Sequence, residues 1–584
     1  MMAPNFSRKN VVAAARGDIP ADVLIQNVTL VNVLTAQLMQ ADIGLVDDLI
    51  AFVLPADSGR LGKTTINGAG RYAIPGLIDG HVHNESSMVT PANWAKVLLL
   101  NGTTTVFTDP HEIANVLGLS GIKYMLDASR GLPLRYNVTA PSCVPAVPSL
   151  ETAGAVITWE EMEQVLTWDR VKVIAEAMDF PGLIHQGGNI TPIVDVAHRQ
   201  SIGVEGHAPG VTGADLQAYA AAIGPLGSDH EASAVDEILE KVAAGIMIYA
   251  KASTFVEDSE AIAEAMKQVK DTRMFGMCTD DIMPHHLKKG HLNFGLSRLI
   301  GHGVDPITAI QMATINNAQH YHLYGLGAIA PGWLADIVLL DSLELVTVQD
   351  VFVGGKQVVA EGKLVVDIQE PVTPWVENSV KLPSGLTTDD FRRFGGGSGV
   401  VRFNGMNVSS IFTTGEVITA ELEKGLVSLP LPEGVSIAAI VPRHGQGTPP
   451  SVCLITGYAL QRGAVASTVS HDSHNLVIIG KDPEDMLAAA NEIKRVGGGL
   501  TSVLDGKVLN TVPLPIAGLM SPLEVGEIGA ILEHYEEGLP ALGLLPMFPI
   551  DLLALALPVI PQVRLTDRGL VDVTKQKFIS MFAD

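Results

Sequence analysis

The chain predicts an α/β protein built on a (β/α)8, TIM-type barrel, with a composite small β-sandwich domain and a C-terminal α/β domain. Three observations predict it. Between residues 73 and 325, short apolar segments of strand length alternate with helical patterns, and eight such units over about 250 residues match the size of that barrel. Polar residues able to hold a metal or move a proton fall just after the strand segments, on the rim where this fold carries its chemistry. β-rich segments broken by turn residues flank the alternating region on both sides.

Bulk properties set the frame. At 584 residues the chain exceeds one hydrophobic core. We divide it at 1–72 and 326–370 for the two parts of the small β-domain, 73–325 for the barrel and 387–584 for the C-terminal domain. A net charge of −25 argues against nucleic acid or an anionic membrane as the main partner. Cys143, Cys278 and Cys453 lie far apart and form no C-x-x-C, so neither a disulfide framework nor a structural zinc cluster is expected, and a reducing cytoplasm fits. The Val11–Ala15 run between Arg8, Lys9 and Arg16 is too short for a secretory signal. The apolar run at Leu552–Ile560 is interrupted by Pro558, and no span of membrane length occurs.

The first strands are expected at Val23–Ile25, Val28–Val31, Ile43–Val46 and Leu49–Val53. Barrel strands follow at Ala73–Ile78, Thr103–Thr108, Arg135–Ala140, Val171–Ala175, Ile202–Val204, Ala222–Leu226, Gly245–Tyr249 and Phe275–Thr279. Helical patterns separate them, as at Thr191–Gln200 and Ala234–Ala243. After Asn317 the β pattern returns. Gly327–Leu340 is a turn feeding a buried strand, and Val351–Val353, Gly354-Gly355 and Gln357–Val359 read as a hairpin. A linker is expected over Glu370–Leu386, with Pro371, Pro374 and Pro383. The last region mixes strands and helices and carries Ser470–Asn475, Gly497–Gly499 and Leu514–Ser521.

The chemistry begins at Pro75-Gly76-Leu77-Ile78-Asp79-Gly80-His81-Val82-His83. On a strand, alternate side chains share a face, so His81 and His83 converge, with Asp79 on the same side. Imidazole suits zinc, iron and similar divalent ions. A two-metal hydrolytic site needs further ligands and an anionic bridge, and the strand ends offer Glu176, His207, His230 and Asp280. His185, His198, His285, His286, His291, His302, His320 and His322 are read as surface or supporting residues. Gly497–Gly499 lacks a following Lys-Ser/Thr and is read as a turn rather than a phosphate cradle. His471 and His474 have no third donor nearby in sequence, so a structural reading is preferred there.

Longer motifs carry a resemblance. Pro75–Glu85, Gly327–Leu340 and the His, Glu, His, His, Asp order resemble the amidohydrolase superfamily. Asn84-Glu85-Ser86-Ser87-Met88, Asp109–Val116, Pro141–Ala146, Ser228–Glu231, Cys278–Asp281, Ser470–Asn475 and Leu514–Ser521 narrow it to the bacterial adenine deaminase family, over nearly the whole chain. The resemblance implies hydrolysis of adenine to hypoxanthine and ammonia, a step of purine salvage, by a hydroxide activated between two divalent ions, Mn(II) or Fe(II), or else Zn(II). It implies His81 and His83 on one metal and His207 and His230 on the other, with Glu176 bridging and Asp280 completing the site. Glu176 and Asp280 would exchange protons with the substrate. Asp109, His111, Glu112 and Asp281 are expected purine contacts. The implied partner is a small purine base, and a cytoplasmic homodimer is expected.

Departures from the family pattern leave substrate identity more open than reaction class. Asn84 stands where an aliphatic residue is usual, Asp179 replaces a common Asn, and Ala250-Lys251-Ala252-Ser253 replaces Arg-Glu-Gly-Ser. Another 6-substituted purine is one alternative. A cyclic-amide hydrolase of hydantoinase or dihydroorotase type is another; such enzymes bridge their metals with a carboxylated lysine, a role for which Lys172 shares a strand face with Glu176. An inactive metal-bound scaffold is a third. No P-C-x-x-C occurs, so the zinc deaminases of the cytidine and tRNA type do not fit.

Overall fold

The computed structural model describes residues 6–583 except 69, 256–257, 371–375, 410–412 and 548. Of the expected linker, Pro371 and Pro374 lie outside the described residues. Among the described residues, no helix is long and apolar enough to cross a membrane.

Two distant stretches build one nine-stranded sheet. Tyr72–Pro75 pairs antiparallel with Ile337–Ser342, with Ile337 opposite Pro75 and Val338 opposite Ile74. Ala21–Asn32, Gln37–Val46 and Leu49–Pro55 extend the sheet on one side, and Thr347–Val353, Lys356–Ala360 and Lys363–Leu364 extend it on the other. Arg135 ties the parallel strands to this sheet through a two-pronged ion pair with Asp336, at 2.6 and 2.9 Å. Such planar, paired geometry is the strong form of the interaction.

Between those stretches runs a curled set of parallel strands, which we label β1 (Leu77–Val82), β2 (Thr103–Thr108), β3 (Arg135–Ala140), β4 (Val171–Ala177), β5 (Val204–Gly206), β6 (Ser228–Asp229), β7 (Met247–Lys251) and β8 (Phe275–Cys278). β1 to β5 form one parallel sheet and β6 to β8 another. A parallel bridge from Val82 to Asp280 brings the ends of β1 and β8 together. Parallel pairing puts the C-terminal ends of neighbouring strands on one side, and helices cover the outer face.

Four expected strands need correction. Ala73–Ile78 is two strands in two sheets, separated at Gly76. A Cβ on Gly76 would meet Thr104 Oγ1 at 2.2 Å, so only glycine lets the chain pass from one sheet to the other. Ala222–Leu226 is no strand: Gly213–Ile223 is a helix ended by Gly224 at φ +81°, and the strand begins at Ser228. The Ala220-Ala221-Ala222 run favours helix, and its propensity overrides the apolar pattern. Gly245, at φ +86°, likewise moves the next strand to Met247–Lys251 and puts Lys251 at its end. Ile202 closes the preceding helix by bonding Ala197 O, so that strand runs over Val204–Gly206.

The third region centres on a second nine-stranded sheet, from Gly399–Asn407 to Lys507–Pro513. Its central strand Ser436–Val441 is apolar on both faces. Ile437, Ala439 and Val441 pack with Met486, Ala489 and Ile493 of the helix Pro483–Val496. Ala438 and Ile440 face the other way, into the core shared with the parallel strands. Alternation along one strand thus sandwiches the sheet between two apolar layers. The helix is stopped by Gly497, and a Cβ on Gly499 would sit 1.9 Å from Val512 O. The Gly497–Gly499 run therefore serves close backbone packing.

Candidate metal centre

Each donor of the centre sits at or just past the end of a parallel strand. β1 is wholly buried. Its Asp79 accepts from Thr279 Oγ1 at 2.5 Å and from Thr279 N at 3.1 Å, which fastens β1 to the end of β8. Burial pushes the Asp79 carboxyl up to about 7 despite those bonds. His291, fully buried, lies 3.3 Å from Asp79 and 2.9 Å from Thr103 Oγ1, beneath the site.

His81 Nε2 and His83 Nε2 approach to 3.2 Å. His83 Nδ1 lies 3.1 Å from the Asp109 carbonyl oxygen, which can only accept, so Nδ1 carries the proton and Nε2 offers its lone pair. Glu176, at the end of β4, divides its two oxygens. Oε1 stands 3.4 Å from His83 Nε2 and 3.9 Å from His81 Nε2. Oε2 stands 2.8 Å from His207 Nδ1 and 3.4 Å from His230 Nε2. Burial alone would raise this carboxyl, but the hydrogen bonds of His207 and His230 carry it well below the ordinary value and hold it ionised.

Asp280 stands in the left-handed region at φ +55°, where it turns its carboxylate back over β1. Its Oδ1 is 3.3 Å from His83 Nε2 and its Oδ2 3.3 Å from Lys251 Nζ. Against the effect of burial, the Lys251 charge and His83 hold Asp280 well below the usual carboxylate range. Lys251 also donates to Glu231 at 2.5 Å, and Glu231 lies 3.5 Å from His230. Lys251 and Glu231 were not expected in the site. Lys251 was visible as a residue near the end of the strand expected at Gly245–Tyr249 and as a departure in the Ala250–Ser253 motif, without a role assigned to it.

His81, His83, Glu176, His207, His230 and Asp280 thus converge. The other four expected residues surround them. His111 Nδ1 is 3.3 Å from Asp109 Oδ2 and 3.6 Å from Glu176 Oε1. Ser86 Oγ joins Glu112, at 3.1 Å, to Asp281, at 2.5 Å. Asp281 lines the cavity, whereas Glu112 is fully buried behind it. The neighbouring Glu85 is pushed up to about 8, first by burial and then by the charge of Glu112.

The donor set fits divalent ions. Most spacings, from 3.2 to 3.9 Å, are too long for good hydrogen bonds. Donors about 2.1 Å from a shared cation stand roughly 3 to 3.6 Å from one another. Imidazole nitrogens with carboxylates suit manganese, iron or zinc. Above them opens a cavity of about 330 Å³. Its far wall comes from the third region: Leu553, Leu557, Val559, Ile560 and Pro561, with His471 and Asp472. None of this wall was read from the sequence as part of the site.

The two departures outside this wall are structural. Asn84 is buried, donates to Val89 O at 2.9 Å and accepts from the Tyr136 hydroxyl at 3.1 Å. Asp179 caps a short helix by accepting from Gly182 N at 2.9 Å.

The chain is similar to known proteins over nearly its whole length. Residues 72–358 match the amidohydrolase family model, and residues 410–577 match that of the adenine deaminase C-terminal domain. The chain is 39% identical to an adenine deaminase of Desulfatibacillum aliphaticivorans, over 98% of this chain and 99% of that one. It is 37% identical to an adenine deaminase of Methanothrix thermoacetophila over 99% of this chain and 100% of the relative. It is 39% identical to adenine deaminase 2 of Carboxydothermus hydrogenoformans over 97% and 98%.

Proposed function

The chain belongs to the adenine deaminase family, and on that premise we propose that it hydrolyses adenine to hypoxanthine and ammonia at the rim of β1 to β8. In this reading the parallel strands close as a (β/α)8 barrel, and residues 387–584 form a separate domain that roofs its rim. His81, His83, Glu176, His207, His230 and Asp280 would hold two divalent ions, His81 and His83 serving one, His207 and His230 the other, with Glu176 and Asp280 supplying the carboxylates. When bound, the ions supply a hydroxide nucleophile near neutral pH; manganese or iron is the natural choice for these donors.

The chain's own groups do the rest. Water oxygen adds at C6 of the base, the C6–N6 bond breaks, and water gives up both its protons, one to the ring nitrogen N1 and one to the departing ammonia. Asp280, ionised beside Lys251, is placed to take the latter proton and pass it on. Glu176, ionised at rest, takes the other proton of the water and hands it to the ring nitrogen. Lys251 and Glu231 orient Asp280 and His230. Asp281 meets the purine from the cavity wall, with Asp109, His111 and Glu112 grouped around it. The apolar wall over the rim excludes water, so that these charges act at full strength.

The observation that carries this reading is the division of the Glu176 oxygens between the two histidine pairs. The cyclic-amide alternative needs a carboxylated Lys172 in that place. Lys172 lies four residues earlier on β4, about 13 Å along the strand, away from the donors. Protein reloaded with Mn(II) or Fe(II) should release ammonia from adenine. Turnover of a cyclic amide but of no 6-substituted purine would overturn the assignment.

A further inference from the structure

Beside the proposed two-metal centre lies a second set of donors, in which His111 meets two side chains, His471 and Asp472, that the reaction does not use. Asp472 sits in the loop after the strand Ala464–Ser467 of the third region and is fully buried. Its Oδ1 lies 3.6 Å from His111 Nε2 and 3.6 Å from His471 Nδ1. All three donor atoms lie within 4.8 Å of one another. Neither spacing makes a hydrogen bond. His111 Nε2 and both oxygens of Asp472 are buried with no hydrogen-bond partner. Among the described residues, no lysine or arginine pairs with Asp472.

Buried polar atoms normally find partners, and a buried carboxylate with both oxygens bare is costly. A spacing of 3.6 Å is the edge expected between two donors about 2.1 Å from one ion. Donors at the proposed centre show the same spacings, from 3.2 to 3.9 Å. His111 is held from behind, since Asp109 lies 3.3 Å from its Nδ1 and accepts from its backbone N at 3.1 Å. A carboxylate behind the ring is how proteins aim the opposite nitrogen at a metal. His474, which the H-x-x-H spacing would pair with His471, points elsewhere: its Nδ1 accepts from Ser470 N at 3.2 Å.

We propose that His111, His471 and Asp472 form a third divalent-cation site that joins the β2 rim to the third region. Two imidazoles and one carboxylate select the manganese, iron and zinc class over magnesium or calcium. The site uses His111 as a ligand rather than as a purine contact. It stands independently of the substrate assigned above.

The test uses full-length protein saturated with Mn(II). Crystals should show anomalous density between His111, His471 and Asp472, and elemental analysis should find three ions per chain. Asp472→Asn and, separately, His471→Gln keep the side-chain shapes, and each should lose one equivalent while two remain. Density at that point supports the site whatever is found beside Glu176. Two peaks flanking Glu176 and none at Asp472 would overturn the third site and leave the two-metal centre standing; Asp472 would then be balanced by two imidazolium rings. A peak at Asp472 with none flanking Glu176 would support the site and remove the two-metal reading instead.

Discussion

The two walls of the cavity are built differently. The strand-end wall is a lattice of charge in which most partners are supplied within the cluster: Glu176 between two histidine pairs, Asp280 between His83 and Lys251, Glu231 on Lys251. Apart from His471 and Asp472 at its edge, the opposite wall is aliphatic, and Leu553, Leu557, Val559 and Ile560 face the donors from a segment with no charge to offer them. One wall carries reactivity and the other enclosure. The difference teaches that a site can divide these tasks between regions far apart in sequence, because low polarity strengthens electrostatics without taking part in them.

The sharpest way to break the comparison is Glu176→Gln, which keeps the shape and removes the charge. We expect at least a hundredfold or so loss of kcat, in the range of general acid–base groups, with weaker Mn(II) binding in equilibrium dialysis. A variant that kept both would show that the bridge lies elsewhere. Leu557→Ala probes the other wall. It should lower kcat/KM about tenfold, mainly through KM, with metal content unchanged. Steady-state kinetics beside elemental analysis would separate the two walls, and a loss of metal here would merge them.

A smaller effect tests what holds the second wall in place. His444 Nε2 lies 2.7 Å from Ser473 O, beside the loop that carries Asp472. Burial, and then the Arg443 charge, hold this imidazole down to about 3, so it is neutral in the fold. The unfolded chain binds its proton near 6.5. This group's contribution is therefore complete above that pH and is lost as pH falls from 6.5 towards 3. Urea midpoints at pH 7 and pH 5 should differ less in His444→Gln than in the parent, by about 1 kcal/mol after allowance for partial exposure. An unchanged difference would place the acid sensitivity elsewhere. The smallest effect belongs to Lys172→Ala, which should leave both metal content and kcat within about threefold. Emptied metal with Glu176→Gln still filled and active would reverse the assignment of the bridge.

Much of the reactive wall was legible because its signals are local. Thr103–Thr108 and Arg135–Ala140 are short β-favouring runs, and the observed strands match them to the residue. His81 and His83 are two apart on one strand, a spacing that geometry alone makes meaningful. The enclosing wall was not legible, since its contacts are long-range. Nothing near Leu553 says that it will face Glu176, and His471 meets His111 only because the third sheet packs an apolar face onto the parallel strands. Lys251 was placed near the end of the strand expected at Gly245–Tyr249, and the strand in fact runs two residues later to end on it; what was not legible is its long-range pairing with Asp280 and Glu231. Ala222–Leu226 misled because an alanine run satisfies an apolar pattern while preferring helix.

The chain's crossing at Gly76, between sheets, has a consequence for biosynthesis. The flanking sheet needs Ile337–Ser342 to complete its pairing with Tyr72–Pro75, so a nascent chain cannot finish it until the eight parallel strands have left the ribosome. The donors His81 to Asp280 emerge first, and the wall at Leu553–Pro561 emerges more than 270 residues after Asp280. Vectorial synthesis thus leaves the rim open to ions until that later wall arrives to cover it.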